Sequence, residues 1–436
     1  MPSLLIKNAD WITTQNENRD VLRNASILIR DGVIEEVGST SVGSADVELD
    51  AKGKIALPGL INTHTHLSMT MFRGFADDML LQDWLQKKIW PLEAKHTDET
   101  CYFGALLGSA EMIMSGTTTL VDMYFHMEAV AKAVGESGLR GFLSYGIVDQ
   151  FDQAKARQER ENTRKFFENI QALENPRIRF ALGPHAPYTC SEETLLWAKD
   201  FAEKNGAIIH IHIAETRREQ ADFQKQHGMR VVEYLDKIGA LSKNMLAAHC
   251  VWLTKSEVEL LAKAGVSVAH CPVSNMKLAS GGVAPLPEMF DRGIAVGLGT
   301  DGASSNNTLD MFETMKVCAL LHKAHRWDPT VLNAQKVLDL ATIGGARALG
   351  VEREIGSIEI GKRADIILIN GKRPNMMPIH GKDTVVSDLV YSVSSGNVDT
   401  TIVDGSVLMQ DREIKTVNLD EILPRAQELA LRMVSN

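Results

Sequence analysis

The stretch IALPGLINTHTH, residues 55–66, is apolar for most of its length and ends in two histidines one residue apart. Side chains two apart on a strand point to the same side, so His64 and His66 can both face one space at the strand's C-terminal end, at a spacing suited to chelating one ion. Seven further β-type runs follow in order: TTTLVDMYF (117–125), LRGFLSYGI (139–147), IRFALGPHA (178–186), AIIHIHIAE (207–215), MLAAHCVWL (245–253), VSVAHCPVS (266–274) and IAVGLGTDG (294–302). Helical patterns separate most of them. TKSEVELLAKAG opens with the capping box Thr254 to Glu257 and closes at Gly265, where a C-terminal glycine ends a helix. Gly116, Gly138, Gly206 and Gly293 sit similarly before later strands. Eight strands alternating with helices predict an α/β protein built on a (β/α)8 TIM-type barrel over residues 55–355. A doubly wound open sheet would also alternate, but no GxGxxG follows the first strand and no Walker A sequence occurs.

The chain ends read differently. Residues 1–54 hold short alternating runs with Asp31-Gly32 placed as a hairpin turn, and residues 356–415 repeat the pattern with Asp404-Gly405. Two β segments flanking a central body predict one small composite β-sandwich domain made from 1–54 and 356–415, and LDEILPRAQELALRMVSN predicts a C-terminal helix within 416–436.

Composition narrows the partners. A 436-residue chain that is 44% hydrophobic and 6% aromatic can bury a full core. Its net charge of −10, with lysine and arginine dispersed, offers no footprint for nucleic acid or an anionic membrane, so a polyanionic partner is not expected. No apolar run reaches 18 residues and the N-terminus lacks the apolar core of a signal peptide, so the expected compartment is cytoplasmic. The five cysteines are scattered without CxxC spacing, which argues against a disulfide framework or a cysteine zinc site.

In such barrels chemistry gathers at the C-terminal strand ends. Those ends carry His64 and His66, His185, His212 and Glu215, His249, His270, and Asp301. His64, His66, His212 and Asp301 together offer three imidazoles and a carboxylate, a ligand set suited to one Zn2+, with Fe2+ or Mn2+ as alternatives.

The combination PGLINTHTH, HIHIAE, AHC and GTDGASSNN resembles the amidohydrolase superfamily. The stretches HTHLSMTMFRGFADDMLLQDWLQKKIWPLE, GPHAPYTCSEE and HCPVSNMKLASG are similar to its 5′-methylthioadenosine/S-adenosylhomocysteine deaminases, and the likeness spans essentially the whole chain. The resemblance implies hydrolytic loss of the 6-amino group from a 5′-substituted adenosine. Two-metal members carry a modified lysine on the fourth strand; IRFALGPHA has none, so one metal is expected.

A divalent ion lowers the pKa of its water from about 15.7 toward about 7. Attack at C6 of an aminopurine also needs a proton on ring N1 and another on the departing nitrogen. Glu215 is placed to serve N1, Asp301 to carry the water proton to the amine, and His249 to orient the nucleophile. From the resemblance, Glu93 holds ribose hydroxyls and His185 contacts the nucleoside, while Trp84 lines the 5′ pocket and Arg157 or Arg160 is a candidate for a substrate carboxylate. His270 is expected to be structural. Guanine deamination, triazine hydrolysis and a catalytically silent barrel are the competing readings, and the sequence leaves homo-oligomer formation open. The H-x-E and P-C-x-x-C elements of cytidine deaminases do not occur as a set.

Overall fold

The computed structural model describes residues 2–38 and 43–435. The chain begins with β1 (Leu4–Thr13), β2 (Val21–Arg30), β3 (Val33–Gly38), β4 (Val47–Asp50) and β5 (Lys54–Pro58). The barrel strands follow: β6 (Leu60–Thr65), β7 (Thr117–Tyr124), β8 (Arg140–Ile147), β9 (Ile178–Pro184), β10 (Ile208–Ile213), β11 (Met245–His249), β12 (Ser267–His270) and β13 (Val296–Leu298). The chain then returns through β14 (Ile366–Asn370), β15 (Val398–Val403), β16 (Ser406–Gln410) and β17 (Glu413–Ile414) to a last helix, Leu419–Ser435. Among the described residues, β6 to β13 form one parallel eight-stranded sheet in sequential order. Both chain ends share a second, mixed sheet of nine strands in the order β17-β16-β15-β14-β5-β1-β2-β3, with β4 beside β1.

The opening stretch divides between the two layers. Ile55, Ala56 and Leu57 pair antiparallel with β14 and so belong to the mixed sheet, whereas Leu60 onward builds the barrel. The division falls at Gly59, whose backbone N–H donates to the Asp365 carbonyl at 2.9 Å. A Cβ there would lie 2.1 Å from Thr118 Oγ1, so only glycine allows the crossing. The expected 55–66 strand is therefore two strands, and the barrel begins after residue 59 rather than at 55; an unbroken apolar run carries no mark of passing from one buried sheet to another. The two expected hairpins form, with Arg30 opposite Val33 and Val403 opposite Ser406. Of the run 356–370, only Ile366–Asn370 is strand.

Helix punctuation follows the sequence. Thr254 and Glu257 close a capping box on helix Lys255–Ala264, which stops at Gly265 with φ of 72°. Gly138 and Gly206 end their helices in the same left-handed conformation.

The barrel closes where β13 meets β6. Thr63 Oγ1 donates to the Leu298 carbonyl at 2.9 Å, Asn62 Nδ2 donates to Thr300 Oγ1 at 2.7 Å, and the Asp301 N–H donates to the His64 carbonyl at 3.0 Å. Gly297 permits this approach, since a Cβ would stand 2.4 Å from Thr63 Cγ2. The layers are locked by a fully buried ion pair. Arg140 of β8 reaches Asp365 through Nε at 3.0 Å and Nη2 at 3.1 Å, while Asp365 also accepts from the Asp404 N–H at 2.8 Å. Deleting Asp365 leaves Arg140 charged in the interior with only the Asp404 carboxylate, at 3.6 Å, to offset it. Asp365→Ala is expected to lower unfolding free energy by about 3–5 kcal/mol, read as a shifted urea midpoint; a loss below about 1 kcal/mol would show that water reaches the pair.

Candidate metal centre

Three histidines converge above the barrel, each with its proton placed by a neighbour. His66 Nδ1–H donates to the Met123 carbonyl at 2.6 Å, and His212 Nδ1–H donates to the His185 carbonyl at 2.7 Å. His64 Nδ1 meets His210 Nε2 at 2.6 Å. Ser144 Oγ donates to the Asp122 carbonyl at 2.7 Å, so it accepts from His210 Nδ1–H at 3.4 Å; His210 Nε2 is then the acceptor and His64 Nδ1 the donor. All three rings thereby turn Nε2 toward the same point, the arrangement found where a neighbour orients a metal-binding imidazole. His210 was not singled out from the sequence, although it shares the HIH spacing that drew attention to His64 and His66.

The spacing of the donors fits one ion. His212 Nε2 lies 3.4 Å from His66 Nε2, and Asp301 Oδ1 lies 3.3 Å from both His64 Nε2 and His66 Nε2. Ligands about 2.1 Å from a common tetrahedral centre stand about 3.4 Å apart. His64 Nε2 is buried without a hydrogen-bond partner, a cost that an ion would remove. Asp301 is held by Ser274 Oγ, which donates to its Oδ2 at 2.5 Å, and by the Gly302 N–H, which donates to Oδ1 at 2.8 Å. Ser274 and Asn275, in the helix Pro272–Lys277 after β12, are the other contributors; they lie in the stretch HCPVSNMKLASG, where the sequence marks no role for them.

His249 plays a different part. Asn275 Nδ2 donates to its Nδ1 at 3.0 Å, so the neutral ring carries its proton on Nε2 and is a donor rather than a fourth nitrogen ligand. Burial lowers its pKa, which keeps it neutral. His185 Nδ1–H donates to Thr189 Oγ1 at 2.9 Å, since that hydroxyl donates onward to the Ala186 carbonyl; its Nε2 is free to accept. Burial lowers the His185 pKa to about 4.

Glu215 stands on a loop fixed from behind. Glu219 accepts from the Ala214 N–H at 3.0 Å and the Glu215 N–H at 2.7 Å, and it closes a capping box with Thr216. Burial first, and the Asp301 carboxylate second, raise the Glu215 pKa to about 8. It therefore stays protonated at neutral pH. Ala214, His249 and Asp301 all adopt left-handed backbone, with φ of 54°, 72° and 63°, which turns these strand ends over the barrel mouth.

His66, His185, His212, Glu215, His249 and Asp301 open into one cavity of about 890 Å³, lined also by Met69, Trp84, Glu93, Tyr124 and Tyr145. Glu93 lies against the Tyr124 phenol, and burial raises its pKa. Trp84 and His185 are on the lining. Arg157 is exposed and Arg160 is taken up by Glu193 at 2.8 Å; on this stretch Lys155 and Lys165 line the cavity instead. His270 points away, toward His322 at 3.2 Å. No helix among the described residues is long and apolar enough to cross a membrane.

Residues 55–408 match the amidohydrolase family. The chain is 45% identical over 435 residues to a 5′-deoxyadenosine deaminase of Methanosarcina mazei, covering 100% of this chain and 99% of the relative. It is 48% identical over 412 residues to a 5-methylthioadenosine/S-adenosylhomocysteine deaminase of Thermococcus onnurineus, covering 94% and 95% of the two chains. Among solved structures it is similar to an adenosine deaminase from Xanthomonas campestris with bound zinc, at 34% identity and a TM-score of 0.94 over 99% of each chain.

The raised pKa of Glu215 has a measurable consequence for stability. Between its ordinary 4.5 and about 8, the unfolded chain ionises this carboxyl while the folded chain keeps it protonated, so folding is penalised increasingly as pH rises through that window. Glu215→Gln removes the penalty. In chelator-treated protein the variant should melt higher than the parent at pH 8, with the advantage shrinking to nothing near pH 4.5; equal differences at both pH values would refute burial as the cause.

Proposed function

This chain belongs to the amidohydrolase family, and on that premise we propose that it is a metal-dependent hydrolytic deaminase of 5′-substituted adenosines, acting through one Zn2+ held by His64, His66, His212 and Asp301. The reading is carried by one observation: His66, His212, Asp301, Glu215 and the half-buried Glu93 line a single cavity. The reaction adds a water oxygen to C6 of the adenine, breaks the C6–N6 bond and releases ammonia, leaving the 6-oxo product. When bound, the ion would supply a water acidified enough to attack at neutral pH.

The remaining steps fall to the chain's own groups. Glu215 donates its proton to N1 as C6 becomes tetrahedral, which is why a carboxyl kept neutral by burial suits the position. Asp301 receives the proton of the attacking water and passes it to the departing nitrogen; the hydrogen bond from Ser274 fixes its orientation. His249 Nε2–H donates to the attacking oxygen and aims it at the ring. Glu93 accepts from the ribose hydroxyls, and charge-assisted bonds of this kind distinguish a nucleoside from a free base. His185 Nε2 accepts from a nucleoside donor. Trp84 and Met69 line an apolar wall for the 5′ substituent.

Two measurements test this. Adenosine, 5′-deoxyadenosine, methylthioadenosine, S-adenosylhomocysteine and guanine are offered in turn, and loss of the 6-amino chromophore is followed by ultraviolet absorbance. The 5′-substituted adenosines should be turned over and guanine left intact; activity on guanine alone would overturn the substrate assignment. Glu215→Gln should keep its metal and lose about 10²- to 10⁴-fold in kcat, whereas a near-normal rate would remove Glu215 from the mechanism.

A further inference from the structure

We propose that His270, Cys318 and His322 form a second metal site, independent of the cavity, that takes a soft monovalent ion of the Cu+ class. Cys318 and His322 are four residues apart on helix Met311–Arg326 and so share one face of it. His270 ends β12, and the next residue, Cys271, stands beside Gly299 on the barrel side; the alternation turns His270 outward, beneath that helix. All three side chains are sealed in the layer between barrel and helix, with relative exposures of 1%, 0% and 0%.

The donor atoms are already gathered. His270 Nε2 and His322 Nε2 are 3.2 Å apart, and one donor atom from each of the three residues lies within 4.8 Å of the others. Without an ion the three donors share one hydrogen bond, between the two Nε2 atoms, although the cluster is sealed in the interior. The thiol of Cys318 is shifted upward by burial alone, with no charged group beside it. An ion joining the three donors would replace that one hydrogen bond with three metal bonds between the barrel wall and the helix.

Charge selects the ion. Binding converts the Cys318 thiol to thiolate, one S–metal and two N–metal bonds form, and the thiol proton leaves for solvent. A monovalent cation with one thiolate is then neutral, whereas a divalent ion would leave a net positive charge in a dry interior, which is costly. No carboxylate belongs to the cluster; the acid that most affects His322, Glu288, is engaged by Arg326 at 2.6 Å. Two imidazoles and a thiolate also match the softness of Cu+.

The test uses protein with zinc at its main centre, produced in copper-supplemented cells and also exposed anaerobically to one equivalent of Cu+, then desalted. About one copper per chain should remain, with one sulfur and two nitrogen neighbours in its X-ray absorption spectrum. His212→Ala, which damages the main centre, should keep that copper. Cys318→Ser should lose the sulfur signal and at least 10-fold in retained copper, and His322→Gln gives a second variant of similar bulk should the first fold poorly. Equal retention in both variants, or loss in His212→Ala alone, overturns the site. A second zinc that disappears with Cys318→Ser overturns the monovalent assignment.

Discussion

The contact on which the rest depends is the one between Asp301 and the first barrel strand. Its backbone N–H closes the barrel seam on the His64 carbonyl, while its carboxylate faces the Nε2 atoms of His64 and His66. Closing the sheet and assembling the donor set are therefore one event. A barrel whose ends failed to meet would hold three imidazoles without their carboxylate. The glycine at 297 and the Asn62–Thr300 bonds serve the centre as much as they serve the fold, because they set how near the eighth strand comes to the first.

The site is maintained against its own local preferences. Left-handed backbone at Ala214, His249, Cys250 and Asp301 is unfavourable for residues with a side chain, at about 1–3 kcal/mol each in the strained cases. Burial raises the pKa of both Glu215 and Glu219, the latter to about 7 against the backbone N–H bonds it accepts. The surrounding core tolerates this because the apolar cluster between the barrel strands and their helices is continuous. The same rigid frame keeps a carboxyl neutral where a proton donor is wanted.

Orientation is supplied from outside the donor set. Met123 and His185 contribute carbonyls, His210 a ring nitrogen, Ser274 a hydroxyl and Asn275 an amide, and each fixes a tautomer or a rotamer of a group at the candidate centre. This wiring separates His249, held through Nδ1 by an amide donor, from His64, His66 and His212, whose Nδ1–H groups donate and whose Nε2 atoms face a common point. Residue type alone does not make that distinction.

The sequence by itself determined the barrel, because eight β runs alternating with capped helices have few other ways to bury their apolar faces. It also determined most of the site, since strand period two puts His64 with His66 and the strand ends collect His185, His212, Glu215, His249 and Asp301. Tertiary structure alone decided where the run at 55–66 leaves the mixed sheet, because Gly59 is explained only by Thr118, far along the chain. It likewise decided which ring nitrogen carries each proton, that Arg157 and Arg160 stay out of the cavity lining, and that His270 turns to His322. Those outcomes depend on partners brought together by barrel closure, and spacing along a chain records only neighbours within one strand or one helix.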